Sequence, residues 1–115
     1  MITFEFRIND SFLSYPGHPV TVPRSQVDYG EVEKLLSNGD EVWVHLPHVG
    51  AYKGLIYHGR AGYGPYYQIR LLEAVPIILT GLETGQRVEV LLFQAEDRVE
   101  VHVRRPYEGE YPSAA

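Results

Sequence analysis

Apolar and polar residues alternate along most of this chain with the two-residue period of half-buried strands. Ile2, Phe4, Phe6 and Ile8 alternate with Thr3, Glu5 and Arg7, which predicts a first strand over Ile2 to Ile8. Val20 to Val22 reads as a short strand ended by Pro23, which has no amide hydrogen to donate to a ladder. Glu41 to Leu46 sets Val42, Val44 and Leu46 on one face and Glu41, Trp43 and His45 on the other. Ala51 to His58, Tyr66 to Leu71, Gln86 to Phe93 and Arg98 to Val103 supply four further strands. Two stretches follow helical spacing instead. After Ser25 or Asp28 as a cap, Val32, Leu35 and Leu36 share one face of a short helix stopped by Asn38-Gly39. A second short helix starts near Val75, accepts Pro76 in its first turn and stops at Gly81. Turn chemistry marks the connections: Asn9 to Pro19 around Pro16-Gly17, Pro47 to Gly50, the glycine-rich Gly59 to Pro65, and Ala95 to Asp97.

The alternation is organised as an approximate internal repeat. Val20 to Leu46 and Tyr67 to Leu92 each run strand, short helix, Gly plus a polar residue, and a second alternating strand. Setting Gly39 against Gly85 superposes Val42 on Val88 and Val44 on Val90. Two strand-helix-strand units in so short a chain predict a mainly β fold: a small closed β-barrel with two short helices and a pseudo-twofold axis. One domain over residues 1–105 is expected, followed by a flexible tail over 106–115.

The stretch YYQIRLLEAVPIILTGLETGQRVEVLL is similar to the swapped-hairpin element of AbrB-like transcription factors: a strand, a short helix, Gly-Leu, two residues, Gly and a Val-rich strand. Over residues 3 to 93 the chain resembles a bacterial family of small domains of unknown function with an AbrB-like or double-psi barrel pattern, associated with YdeI-type bacteriocin-protection proteins. Val20 to Pro23, the glycines from Gly59 to Gly64, and Gly81 to Val90 carry the resemblance. It implies a double-psi-like or swapped-hairpin barrel and assigns no activity. Where that family places basic residues on the helix after the second strand, this chain has LLEAVPIIL, which weakens any inherited nucleic-acid role.

Composition narrows the classes of function. The 115 residues suffice for one core, and a hydrophobic fraction of 44% argues against disorder. No apolar run approaches the roughly 20 residues that span a bilayer, and MITFEFRIND lacks the pattern of a secretory signal, so a cytoplasmic protein without a membrane partner is expected. The absence of cysteine excludes disulfides, thiolate nucleophiles and Cys-ligated zinc. A formal charge of −5 disfavours a nucleic-acid partner.

Candidate chemistry concentrates in YHGRAGYGPYYQIR, where Tyr57, His58, Arg60, Tyr63, Tyr66, Tyr67 and Arg70 fall within fourteen residues. Tyrosine rings stack on planar ligands and Arg clamps an anionic group, so the segment suits a ligand or partner site; it equally suits a hairpin whose rings pair across strands, or an oligomer interface. His45, His48 and His58 lack a carboxylate at a matching offset, and no metal site is assigned. Ser11, Ser14, Ser25 and Ser37 occupy loops or caps, so no catalytic residue is assigned and no cofactor is implied. Arg98, His102, Arg104 and Arg105 suggest a charged edge strand that blocks edge-to-edge pairing. The resulting expectation is a non-enzymatic binding or assembly module that forms a homo-oligomer. An AbrB-like nucleic-acid regulator, and a small-molecule binder or enzyme using residues 57–70, are the alternatives.

Overall fold

The computed structural model describes residues 1–36 and 40–106. Its elements follow as β1 (Ile2–Arg7), α1 (Asp10–Ser14), β2 (Val20–Thr21), α2 (Tyr29–Leu35), β3 (Glu41–Leu46), β4 (Gly50–Ala61), β5 (Gly64–Leu71), a 3-10 helix (Ile77–Thr80), β6 (Arg87–Ala95) and β7 (Arg98–Arg104). The strands make one seven-stranded sheet in the order β1-β6-β7-β3-β4-β5-β2, curled into a nearly closed barrel. Every neighbouring pair is antiparallel except β3 and β7. No helix among the described residues is long and apolar enough to cross a membrane.

Strand alternation fills the interior. Phe4, Val42, Val44, Ile56, Ile69, Val88, Val90, Leu92 and Val101 are buried together, joined by Phe12 of α1 and by Val32 and Leu36 of the α2 segment. The four valines aligned by the repeat are at most 2% exposed. At Gly54 the neighbouring strands approach closely: a Cβ there would stand 2.8 Å from the Arg70 carbonyl oxygen and 3.0 Å from a Val44 methyl, so a side chain at this position of β4 would push against both β3 and β5.

Gln26 bridges the seam between the sheet's edges, β1 and β2. Val22 extends the β2–β5 pairing by donating to Tyr67 O, and a turn after Pro23 then brings Gln26 beside β1. The Gln26 amide accepts from Glu5 N–H at 2.8 Å and donates to Glu5 O at 3.2 Å, taking the place of a strand residue at the free edge.

Several expectations are corrected. Asn9 to Pro19 is not all loop: Asn9 caps α1 by accepting from Phe12 N–H at 2.8 Å, and buried Phe12 packs edge-on against Phe6. Of the two cap candidates for α2, Asp28 is the one used. Gly59 to Pro65 is strand except for the two-residue turn Gly62-Tyr63, because the Tyr66 ring lies across Gly59 and occupies the space of its missing side chain. The second helix is a single 3-10 turn with Pro76 as its cap and Gly81 at φ 74° as its stop. β7 is not an edge strand; it lies between β6 and β3, and Arg104 pairs with Glu89 across the sheet at 2.7 Å. The helix stop at Asn38-Gly39 and the tail beyond Pro106 lie outside the described residues.

Candidate binding groove on the β4–β5 hairpin

The strand period divides the tyrosine-rich segment between two faces. Tyr57, Tyr66 and Arg70 project outward. Arg70 stacks its guanidinium 3.8 Å from the Tyr57 ring centroid and donates twice to Gln68 Oε1, at 2.8 and 3.0 Å. Gln68 in turn donates to Thr21 Oγ1. Tyr66 contacts Tyr57 and Tyr63, and Tyr63 stands exposed on the turn. These side chains contact one another, and Arg70 is engaged by Gln68 and the Tyr57 ring. Arg60 is exposed near the hairpin tip.

His58 and Tyr67 occupy the opposite face. They are register partners on β4 and β5, and their rings stack at 4.6 Å. Tyr67 meets Tyr29 of α2 edge-on at 5.0 Å, and Tyr29 is pinned by donating its hydroxyl to Val22 O at 2.7 Å. Between the hairpin and the segment entering α2 lies an open groove of about 410 Å³, lined by Arg24, Val27, Asp28, Tyr29, Glu33, His58, Pro65 and Tyr67. Arg24 reaches across it, donating to Pro65 O from Nε at 3.1 Å and Nη2 at 2.5 Å, with its guanidinium 5.2 Å from the Tyr29 ring centroid.

Electrostatics inside the groove follow from these contacts. Burial raises the Tyr67 phenol above the ordinary tyrosine range, and the Glu33 carboxylate that accepts its hydrogen bond raises it further. Asp28 Oδ1 accepts from Gly30 N–H, and two of the Arg24 donors are spent on Pro65. Two carboxylates against one guanidinium leave the groove slightly negative. It offers aromatic walls and acceptor oxygens.

No protein-family model, no curated protein and no solved structure matches the chain.

Of the residues singled out in the sequence, the structure therefore brings His58 and Tyr67 into the groove, gathers Tyr57, Tyr63, Tyr66 and Arg70 on the outer face, and leaves Arg60 near the tip. Arg24, Asp28, Tyr29 and Glu33 were missed. They precede His58 and Tyr67 by 25 to 43 residues in the chain, and the β2–β5 pairing, Val20 opposite Ile69, brings them there. The repeat made β2 and β5 equivalent without implying that they are neighbours.

Proposed function

We propose that the protein is a non-enzymatic binding module whose ligand is a small planar molecule with hydrogen-bond donors on its edge, seated in the groove between α2 and the β4–β5 hairpin. The observation that carries this is the convergence of Tyr29, His58 and the Glu33 carboxylate at one concave site, floored by the Tyr67 ring, which is itself only 2% exposed. Aromatic faces favour a planar partner, and an acceptor-rich, slightly negative lining favours a neutral or cationic heterocycle over an aromatic acid. The test is thermal melting against matched panels of planar amines and planar acids. The amines should raise the melting temperature of the wild type and not of His58→Ala, whose side chain is exposed in the groove, because a ligand that binds only the folded state stabilises it by mass action. Stabilisation by acids alone would overturn the choice of ligand class.

Self-association is the second reading, favoured by Ile78 and Leu79, which are 85% and 64% exposed on the 3-10 helix. Light scattering that shows a monomer at high concentration would remove it. The pseudo-twofold, double-psi-like description of the barrel, in the manner of AbrB-like proteins, belongs to the same proposal. Its support is that β2 and β5 pair antiparallel, that β3 and β6 flank β7 in opposite directions, and that the aligned valines all face the core.

A further inference from the structure

On the outer face of the barrel, the parallel pairing of β3 with β7 brings together side chains that the sequence keeps apart. His45 and His102 are register partners, and their imidazoles stack at 4.1 Å and 20°. Glu100, two residues before His102, projects to the same face by the strand period. Its Oε1 lies 2.6 Å from His45 Nε2 and 3.8 Å from His102 Nε2. One donor atom from each of the three residues lies within 4.8 Å of the other two, and no other such group occurs among the described residues.

Two features distinguish this cluster from ordinary surface charge. Glu100 is 7% exposed, although it faces away from the core. Its Oε2 is buried without a hydrogen bond, even though Arg98 Nε approaches to 2.8 Å, because that approach has the distance of an ion pair without hydrogen-bonding geometry. A carboxylate buried to this degree requires compensating positive charge. His45 and His102, by contrast, are only partly covered, at 33% and 39% side-chain exposure, so the site opens to solvent on their side.

We propose that His45, Glu100 and His102 form a binding site for a divalent transition-metal ion of the zinc class, with a fourth position open to water or a ligand. Two imidazole nitrogens and one carboxylate oxygen suit Zn²⁺, and also Co²⁺, Ni²⁺ and Cu²⁺, better than Mg²⁺ or Ca²⁺, which prefer all-oxygen cages. Tetrahedral bonds of about 2.1 Å place ligand atoms about 3.4 Å apart. Rotation of the two half-exposed imidazoles closes the wider separations and opens the 2.6 Å contact, with the carboxylate already fixed in the sheet. The ion replaces the proton shared between His45 and Glu100 and supplies the second positive charge beside the buried carboxylate. Arg98 remains on the far oxygen.

The experiment uses the untagged full chain. Co²⁺ is titrated while its visible absorption is followed, and Zn²⁺ binding is measured by calorimetry. One ion per chain with the absorption of a four-coordinate site is expected. His45→Ala and His102→Ala should each weaken binding by at least about tenfold, a loss no smaller than removal of an outer partner of a metal ligand produces. His48→Ala, in the adjacent turn, should bind as the wild type does. Both ligand histidines are half-exposed, so these variants are expected to fold, which circular dichroism checks. Glu100→Gln is informative only as a folded protein, and the histidine variants carry the test without it. Absence of binding to the wild type, or equal binding by the His45→Ala/His102→Ala double variant, would overturn the assignment.

Discussion

Replacing Gln26 by Ala removes the bridge across the barrel seam, and the structure sets its cost. Two hydrogen bonds to the Glu5 backbone are lost, one at 2.8 Å and one at 3.2 Å. Each is worth about 0.5–1.5 kcal/mol net, and because Gln26 is exposed, water reaches both freed Glu5 groups and holds the total toward the lower end, about 1 kcal/mol. For a domain of this size that corresponds to a melting temperature lower by about 4–6 °C. Gln26→Glu separates the two bonds: its carboxylate still accepts from Glu5 N–H but meets the Glu5 carbonyl with no proton to offer, so it should be no more stable than the alanine variant. Urea unfolding measures the energy, and hydrogen exchange at the Glu5 amide locates it. Because the change unmasks an edge strand, the alanine variant should also self-associate more strongly in light scattering. If the alanine variant lies within about 0.3 kcal/mol of the wild type and Glu5 amide protection is unchanged, the seam is closed by something other than this side chain.

Three further outcomes are expected. Val44→Ala and Val90→Ala, each removing methyl groups from fully packed positions, should each destabilise by about 1–3 kcal/mol in urea unfolding. Gly54→Ala should cost a similar amount, about 1–3 kcal/mol, since its new methyl meets the Arg70 carbonyl, which the β4–β5 ladder holds in place; a neutral result would mean that the strands are not packed as closely at Gly54 as described. The raised Tyr67 phenol makes stability fall at alkaline pH. The unfolded chain releases that proton near pH 10 while the folded chain retains it, so stability is complete below about pH 10 and declines as pH rises toward the folded value; Tyr67→Phe should flatten the slope.

Strands were legible because their signal is local. A residue and its second neighbour report burial directly, and Glu41 to Leu46 begins and ends where its alternation does. Gly59 misled because a glycine normally weakens a strand, whereas here the Tyr66 ring supplies the packing that its own side chain lacks. Helix α1 escaped because only Phe12 is buried in five residues, leaving the Asn9 cap as its one local mark. The sites depend on contacts that alternation cannot reveal. Tyr29 meets Tyr67 only through the β2–β5 pairing, and His45 meets His102 only because β3 and β7 pair in parallel across three intervening strands. Period two predicted the face of each histidine but not the strand beside it.

Amide chemical-shift changes would map a bound planar amine on the groove, with the amine taken from the melting panel and titrated into the isotopically labelled protein. Saturable shifts concentrated on Arg24, Tyr29, Glu33, His58 and Tyr67, all of which line the groove, are expected. Saturable shifts confined to the outer face around Tyr57 and Arg70, or an absence of saturable shifts from any stabilising amine, would contradict binding in the groove.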